Sequence, residues 1–434
     1  MTTYKVMPGG ALRGTISVPG DKSVSHRSVM LGSLALGTTC VSNFLEGEDT
    51  RATAAAFRAM GVKIEADGSG GLQILGRGLH GLEAPNAPLD LGNSGTAMRL
   101  MAGVMCGQRF DSELTGDESL NSRPMGRIVD PLRQMGADIR AQADGTAPLI
   151  IRGNQNLAGI RYDMPVASAQ VKSALLFAGL YATGATSVTS PGVCRDHTER
   201  MLQGFGYPVR SDGAEITVEG GHGLAARDVQ VPSDVSSAAF FLVGASIAAD
   251  SDLTLTGVGM NPTRAGVVNI LQMMGAHIEV LNERDASGEP VADLRVRGSK
   301  LTGIDVPRTL VANAIDEFPA IFVAAACADG ETRVTGAREL RVKESDRIGA
   351  MADGLAALGA SVIPLDDGMV VSGGALNGGT VRSRGDHRIA MALAMAALRS
   401  SKPVVVEDCA NVATSFPNFV ELAESAGLGI GILS

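Results

Sequence analysis

Residues 19–27, Pro-Gly-Asp-Lys-Ser-Val-Ser-His-Arg, place a lysine, a hydroxyl and an arginine at the start of a predicted helix. Asp21 can cap this helix, and the apolar residues that follow have helical spacing. A helix N-terminus favours anions through its unpaired N–H groups and its dipole. Lys22, Ser23 and Arg27 add charge-assisted donors suited to a phosphate. This pattern predicts an anion site, although a capped surface helix with two solvated cations would have the same short motif.

Similar polar starts precede apolar helical runs at six places along the chain. Capping alone needs only Ser, Thr, Asp or Asn, so it does not account for the lysine, the glutamine and the arginines found among these starts. We therefore predict that they line a common site for a small substrate with several negative charges. The starts are residues 21–23, 93–96, 168–170, 233–237, 316–317 and 386–388.

Three further cations, Arg123, Arg195 and Lys343, are predicted at the N-termini of the outer helices. Positive charge at that end opposes the helix dipole. Such departures from a local rule are expected at functional sites. We therefore assign these three residues to the same anion site.

The elements that position these residues form a repeat. A helical segment ends in a glycine before a strand-like run, as a helix that closes with a left-handed residue does. A hairpin and a second, more apolar helix follow most of these glycines, and the apolar spacing predicts that the second helix is buried. The six glycines are Gly61, Gly136, Gly206, Gly275, Gly359 and Gly427.

The sixth copy is incomplete near the C-terminus, and its missing strands are found at residues 4–10 and 15–18. The repeat is therefore predicted to be circularly permuted. Six copies predict an α/β (α+β) fold of two similar domains with pseudo-threefold symmetry, in which helix N-termini face an interdomain cleft. We expect the first domain over residues 21–230 and the second over residues 1–20 plus 231–434.

Composition limits the class of protein. The chain has 434 residues, of which 45% are hydrophobic, and this favours a globular protein of two or three domains. The net charge of -9 argues against a nucleic-acid or membrane surface. Five cysteines without paired spacing predict free thiols in a reducing compartment. Because the N-terminus has no hydrophobic signal core, we expect a soluble, cytoplasmic protein.

Two motifs, Leu-Gly-Asn-Ser-Gly-Thr-Ala-Met-Arg at 91–99 and Arg-Val-Lys-Glu-Ser-Asp-Arg at 341–347, resemble the signatures of the 5-enolpyruvylshikimate-3-phosphate (EPSP) synthase family. The resemblance covers the whole chain and implies two domains, each of three βαββαβ-like units. It also implies transfer of the enolpyruvyl group of phosphoenolpyruvate to the 5-hydroxyl of shikimate 3-phosphate, in the biosynthesis of chorismate and aromatic amino acids. Further motifs resemble the class II branch of the family; they lie at 20–23, 168–172, 195–199 and 261–264.

The resemblance implies roles for individual residues. Lys22, Asp316 and Glu344 would be catalytic, with Asp316 and Lys343 beside the reacting hydroxyl and Glu344 beside the methylene carbon. Two carboxylates in separate environments can divide the roles of base and acid. The residues implied for shikimate 3-phosphate are Lys22, Ser23, Arg27, Ser168, Ala169, Gln170, Arg195, Asp316 and Lys343. Those implied for phosphoenolpyruvate are Lys22, Gly95, Arg123, Gln170, Arg347 and Arg388.

The family is the target of glyphosate, which occupies the phosphoenolpyruvate site. Some class II members carry alanine where this chain has Gly95, and the family links that methyl group to tolerance. We expect Gly95 to leave room for the inhibitor. Where class I members have a lysine before Thr-Phe-Pro, this chain has Thr414, so a lysine contact is not expected there.

Two alternatives stay open. One is a UDP-N-acetylglucosamine enolpyruvyltransferase, which would be expected to carry a loop cysteine near the arginine of residues 121–123, where this chain has none. The other is a non-catalytic anion-binding protein, which would not need Asp316 or Glu344 among the cations. For the favoured function we expect no metal and no cofactor. The expected partners are the two small substrates, without nucleic acid or membrane, and the expected state is a monomer.

Overall fold

The computed structural model describes residues 2–68 and 70–433 of the chain. None of the helices in these ranges is long and apolar enough to cross a membrane. Short 3-10 helices lie at Ala312–Ala314, Arg338–Val342, Ala397–Arg399 and Ala410–Thr414. The α-helices are α1 Lys22–Leu34, α2 Glu48–Ala59, α3 Gly95–Cys106, α4 Glu118–Asn121, α5 Gly126–Gln134, α6 Ala169–Gly179, α7 His197–Gly204, α8 Val235–Ile247, α9 Gly266–Met273, α10 Arg308–Val311, α11 Phe318–Ala326, α12 Arg347–Ala357, α13 His387–Ala396 and α14 Phe419–Ser425.

Short strands alternate with these helices. The strands are β1 Thr3–Val6, β2 Arg13–Ile16, β3 Leu36–Ser42, β4 Lys63–Ala66, β5 Leu72–Arg77, β6 Leu89–Asp90, β7 Ser112–Thr115, β8 Ile139–Arg140, β9 Leu149–Ile151, β10 Arg161–Asp163, β11 Ala185–Thr189, β12 Val209–Asp212, β13 Glu215–Glu219, β14 Val229–Gln230, β15 Asp252–Gly259, β16 His277–Ala286, β17 Glu289–Arg297, β18 Glu331–Val334, β19 Ser361–Leu365, β20 Gly368–Ser372, β21 Gly379–Arg382, β22 Val404–Glu407 and β23 Ile430–Leu433.

By their internal contacts the residues group into two compact units. One unit, called here the central unit, contains residues 20–231 together with 286–289. The other, called the terminal unit, contains the residues up to 19, residues 232–285 and residues from 290 onward. Each unit has its own hydrophobic core and its own set of small sheets.

The central unit has sheets of order β14-β3-β5-β4, β6-β7-β9-β8 and β10-β11-β13-β12. Each sheet begins with a parallel pair and continues with antiparallel pairs, which is the pattern of one copy of the repeat. β14 comes from the end of the unit and pairs with β3 from its start, with Val229 opposite Val41. The last strand of the unit therefore completes its first sheet.

The terminal unit has sheets of order β16-β17-β15-β2, β18-β20-β19 and β21-β22-β1-β23. The N-terminal strand β1 lies between the last two strands of the chain, with Tyr4 opposite Val406 in β22 and Ile432 in β23. β2 pairs in parallel with β15, with Thr15 opposite Thr254. The prediction that an N-terminal strand completes the sixth copy is thus confirmed for β1, whereas it was wrong for β2, which joins the sheet of β15.

Each copy of the repeat buries one helix almost completely. These inner helices are α1, α3 and α6 in the central unit and α8, α11 and α13 in the terminal unit; all thirteen residues of α8 are buried. Their apolar side chains form most of the two cores. The glycines that end the outer helices have left-handed backbone angles, with φ from 79° to 109°, as predicted.

The predicted cations at the outer helix starts are placed differently from the prediction. Arg123, Arg195 and Lys343 lie in the turns before α5, α7 and α12, not in the first turns of those helices, so that part of the prediction was wrong. In α12 the cap is Asp346, whose carboxylate accepts the Gly349 N–H at 3.1 Å. An acidic cap suits the positive end of the helix dipole, which a cation would oppose.

Candidate active site

The start of α1 presents the first predicted site residues of the central unit. Asp21 caps the helix, because its Oδ1 accepts the Val24 N–H at 2.9 Å, and this places Lys22 and Ser23 in the first turn. The Lys22 ammonium forms an ion pair with Asp49, whose side chain is 7% exposed. Sequence reasoning missed Asp49, although it stands in the acidic first turn of α2.

Arg27 lies one turn further along α1 and is buried. Its Nε donates to Thr198 Oγ1 at 2.6 Å, its Nη2 to Ser173 Oγ at 2.9 Å and its Nη1 to the Ser23 carbonyl at 3.0 Å. Three of its five N–H groups thus donate to protein oxygens, which fixes the plane of the guanidinium group. Burial lowers the pKa of Arg27 to about 10, so the group stays charged at neutral pH.

Two buried groups of opposite charge lie beside Arg27. Lys172 on α6 forms an ion pair with Glu199 on α7, and their side chains are 4% and 5% exposed. The negative charge of Glu199 raises the pKa of Arg27 and partly offsets its burial. Arg195, in the turn before α7, acts in the opposite direction, so it lies close enough for its charge to be felt at Arg27. Arg195 and Arg27 therefore belong to one group of neighbouring charges.

Gly95 is the first residue of α3, and Ser94 caps that helix by accepting the Ala97 N–H at 3.2 Å. A Cβ atom at position 95 would lie 2.9 Å from Arg99 Nη1 and 3.2 Å from Arg123 Nη1. The absence of a side chain at Gly95 therefore lets two guanidinium groups approach its backbone. The start of α3 combines the positive end of the helix dipole with two positive charges, which favours an anion.

Gln170, in the first turn of α6, is held from two sides. Its Oε1 accepts from Arg99 Nη1 at 2.7 Å, and its Nε2 donates to Thr96 Oγ1 at 3.1 Å. Ser168 caps the same helix, and Ala169 is its first residue. Sequence reasoning missed Arg99. The signal was available, because Arg99 is the one charged residue in the α3 sequence Gly-Thr-Ala-Met-Arg-Leu-Met-Ala-Gly-Val-Met-Cys.

In the terminal unit, Arg347 gathers three carboxylates around one guanidinium group. Its side chain is completely buried. Nη1 lies 3.2 Å from Asp316 Oδ1, Nη2 donates to Glu344 Oε2 at 2.5 Å, and Nε donates to Asp386 Oδ2 at 2.8 Å. Burial alone would lower the pKa of Arg347, but the three negative charges outweigh it and raise the pKa. This arrangement brings Asp316 and Glu344 together around one cation.

Asp386 links Arg347 to Arg388. It caps α13, since its Oδ1 accepts the Arg388 N–H at 2.9 Å, while its other oxygen binds Arg347. Burial, the largest single effect, would raise the pKa of Asp386, but the charge and the hydrogen bond of Arg347, together with His387, outweigh it and lower the pKa. Arg388 Nη1 donates to the carbonyl of Asp316 at 3.2 Å, and Lys343 Nζ lies 3.5 Å from the carboxylate of the same residue. The sequence placed Asp386 in one of the predicted polar helix starts but gave it no individual role.

A second charged group lies behind Asp316. Glu317 accepts a hydrogen bond from Ser236 at the start of α8. Arg264 Nη2 donates to Ser236 Oγ at 2.7 Å and to Asp234 Oδ1 at 3.1 Å. These four side chains are buried, so this group braces the starts of α8 and α11.

The site residues therefore form one set in each unit. The central set is rich in donors at helix starts, namely Lys22, Ser23, Arg27, Gly95, Arg123, Ser168, Ala169, Gln170 and Arg195. The terminal set places two carboxylates, Asp316 and Glu344, against cations. Paired carboxylates and cations can perform proton transfer on a substrate that carries negative charge. Among residues 2–68 and 70–433, no group of three or more His, Cys, Asp or Glu side chains could hold a metal ion.

The fold of the chain is the one found in enolpyruvyl transferases. The enolpyruvyl transferase NikO from Streptomyces tendae has the same fold, with a TM-score of 0.79 over 100% of this chain and 99% of that one. Its sequence identity is 17%, so this likeness concerns the fold alone.

Within that class the chain belongs to the EPSP synthase (3-phosphoshikimate 1-carboxyvinyltransferase) family, which it matches over residues 6–422. A 3-phosphoshikimate 1-carboxyvinyltransferase from Alkalilimnicola ehrlichii is 62% identical over 98% of this chain and 96% of that protein. One from Acidithiobacillus ferrooxidans is 61% identical over the full length of both. A solved structure of EPSP synthase from Acinetobacter baumannii has 53% identity and a TM-score of 0.92 over all of both chains.

Proposed function

We propose that this chain transfers the enolpyruvyl group of phosphoenolpyruvate to the 5-hydroxyl of shikimate 3-phosphate and releases inorganic phosphate, a step in the biosynthesis of chorismate and aromatic amino acids. Membership of the EPSP synthase family supports this reaction. The observation that carries it is the pair Asp316 and Glu344, both held by Arg347. A protein that only bound anions would not need two carboxylates in the binding site itself.

The residues assigned to shikimate 3-phosphate supply cations, hydroxyl groups and helix N–H groups. Arg27 is suited to this role because its guanidinium plane is fixed by protein contacts. A prearranged donor loses less conformational freedom when the phosphate binds. The set is Lys22, Ser23, Arg27, Ser168, Ala169, Gln170, Arg195, Asp316 and Lys343.

The residues assigned to phosphoenolpyruvate carry most of the charge needed for its phosphate and carboxylate. Gly95 lets the ligand approach the backbone at the start of α3, where Arg123 is close. Arg347 and Arg388 are suited to a carboxylate because a guanidinium group can bind it with two donors. The set is Lys22, Gly95, Arg123, Gln170, Arg347 and Arg388.

The reaction is an addition followed by an elimination. Asp316 takes the proton of the 5-hydroxyl as its oxygen attacks C2 of phosphoenolpyruvate, and Glu344 gives a proton to the methylene carbon. Loss of that proton and of phosphate then restores the double bond in the enolpyruvyl ether. Lys22 places a positive charge next to the phosphate groups that flank the reacting atoms. No step needs a metal or a cofactor.

Arg347 connects binding to this proton transfer. Its Nη2 donates to Glu344 Oε2 at 2.5 Å, and a hydrogen bond from a cation stabilises a carboxylate relative to the protonated acid. A phosphoenolpyruvate carboxylate that binds Arg347 competes with Glu344 for the same donors. Weakening the pair makes it easier for Glu344 to accept a proton, so substrate binding prepares the acid.

The proposal includes a cytoplasmic monomer that acts on these two small molecules without nucleic acid or membrane. The net charge of -9 supports this, since polyanionic surfaces repel an acidic protein. Its five cysteines are free thiols, which is usual in a reducing compartment.

A phosphate-release assay with both substrates tests the function. We expect phosphate only when phosphoenolpyruvate and shikimate 3-phosphate are both present, together with an enolpyruvyl ether detected by mass spectrometry. Reactions that lack one substrate are the controls. A further reaction replaces shikimate 3-phosphate with UDP-N-acetylglucosamine. Turnover with the nucleotide sugar alone, or binding without phosphate release, would contradict the proposal.

A further inference from the structure

His26 is a completely buried histidine on α1, one turn after Lys22. Its Nδ1 lies 2.8 Å from Thr53 Oγ1 on α2, and its Nε2 lies 3.4 Å from Ser94 Oγ at the cap of α3. The ring therefore connects three helices in the central unit. Lys22 lies at the start of α1, its ion-pair partner Asp49 lies at the start of α2, and the cap residue before Gly95 lies at the start of α3.

The hydrogen bonds around the ring are compatible with only one assignment of donors and acceptors. Thr53 Oγ1 lies 3.3 Å from the Asp49 carbonyl, which can only accept, and Ser94 Oγ accepts the Ala97 N–H. All contacts are satisfied when Ser94 donates to Nε2, Nδ1–H donates to Thr53 and Thr53 donates to Asp49. In the opposite tautomer, with the proton on Nε2, the single hydroxyl proton of Thr53 would have to be donated both to Nδ1 and to the Asp49 carbonyl. His26 is therefore assigned as neutral, with its proton on Nδ1.

The surroundings keep the ring in this neutral form. Burial and the positive charges of Lys22 and Arg27 lower the pKa of His26 well below its ordinary value, and Asp21 opposes them only in part. A neutral imidazole can bridge two hydroxyl groups without adding a positive charge next to these cations. At neutral pH the bridge does not titrate.

We propose that His26 is a positioning residue for the binding of phosphoenolpyruvate. It fixes the position of Ser94, the cap residue before Gly95, relative to Asp49 and therefore relative to Lys22. This inference rests on the proposed function, where Gly95 and Lys22 both contact that substrate. The affinity for an anion that binds two groups depends on the distance between those groups, and small displacements lower it. The chain of hydrogen bonds through His26 fixes that distance.

Two substitutions separate the two halves of the bridge. His26→Gln puts its amide near the place of Nε2 and keeps a bond to Ser94, whereas His26→Asn puts it near Nδ1 and keeps the bond to Thr53. We expect His26→Asn to raise KM for phosphoenolpyruvate about tenfold, the usual effect of one lost hydrogen bond. KM for shikimate 3-phosphate should stay within about twofold and kcat within about threefold. His26→Gln breaks the Thr53 half of the same bridge, so it should raise KM for phosphoenolpyruvate by a similar factor and leave KM for shikimate 3-phosphate within about twofold.

The exposed histidine His277, replaced by asparagine, is the matched control, and melting temperatures show which variants fold. Wild type without phosphate release would refute the proposed function. Active wild type whose His26→Asn variant loses only thermal stability, or raises both KM values equally, would refute the positioning role alone. The tautomer is tested in the wild type by 15N NMR of the histidine ring. A proton on Nε2 would overturn the bridge even if neither variant folds.

Discussion

Replacing Gly95 by alanine should weaken the binding of phosphoenolpyruvate about tenfold, because the methyl group would displace two arginine side chains. The new Cβ would lie 2.9 Å from Arg99 Nη1 and 3.2 Å from Arg123 Nη1, whereas ordinary contacts begin at 3.4 Å. The backbone at Gly95 is helical and suits alanine, so the substitution acts through these side chains. Both guanidinium groups must therefore move away from the start of α3.

The magnitude follows from what the movement breaks. Arg99 Nη1 donates to Gln170 Oε1 at 2.7 Å, and Arg123 Nη2 donates to Asn93 Oδ1 at 2.6 Å. A hydrogen bond with a charged partner contributes about 1.5–3 kcal/mol, and overpacking costs about 1–3 kcal/mol. Because the contacts are with the ends of flexible side chains, we take the low end. About 1.4 kcal/mol corresponds to a tenfold change in affinity.

The assay measures KM for phosphoenolpyruvate and the inhibition constant of glyphosate side by side. The longer inhibitor should lose more affinity than the substrate, and equal proportional changes would show that the methyl group does not discriminate. A double-mutant cycle tests the route. If the methyl group acts through Arg99, Gly95→Ala should cost much less in an Arg99→Met background. An undiminished cost in that background would refute the reasoning.

Three other predictions concern the charged residues. Asp316→Asn and Glu344→Gln should each lower kcat by about a hundredfold to ten-thousandfold with little change in KM; near-full turnover of Asp316→Asn in steady-state phosphate release would contradict its role as base. Lys22→Met should raise both KM values and lower kcat in the same assay, and an effect on one substrate only would count against its shared position. Asp386→Asn should destabilise the protein by about 3 kcal/mol at pH 7, since Arg347 loses a buried partner. Because the pKa of Asp386 is lowered in the folded protein, this stability is present above about pH 4 and is lost as the pH falls through the lowered value. Urea denaturation measures it, and a difference from wild type that did not shrink at low pH would argue against this account.

Much of the fold was predictable from short-range patterns. Helix α8 is apolar on all sides, and burial is the only stable outcome for such a helix. The pairing of β1 with β22 and β23 could be inferred because the repeat lacks strands at one end and has extra ones at the other. The starts of α5, α7 and α12 were predicted too early in the chain, because the sequence does not distinguish a charged turn from the first turn of the helix that follows it.

The candidate site was less predictable than the fold, because pairing between distant residues leaves no local signal. Lys22 and Arg388 could be found from their positions at helix starts. The sharing of Arg347 among three carboxylates depends on Asp316 and Asp386, which are far from it in the chain. From the sequence alone, the donors of Arg347 were expected to bind a substrate anion, whereas in the structure they already bind protein carboxylates.

The position of β1 between β22 and β23 has a consequence for synthesis on the ribosome. The strands of all three sheets of the central unit lie within residues 36–230, so they are made before most of the terminal unit. β1 is made long before its partner strands, which among the described residues lie at 404–407 and 430–433. At about 5–20 residues per second, the residues after 231 take roughly 10–40 s to appear. During that time β1 lacks both of its partner strands, and unpaired strand edges can pair with other chains, so we expect a nascent chain to need protection at β1 until residues 430–433 have been made.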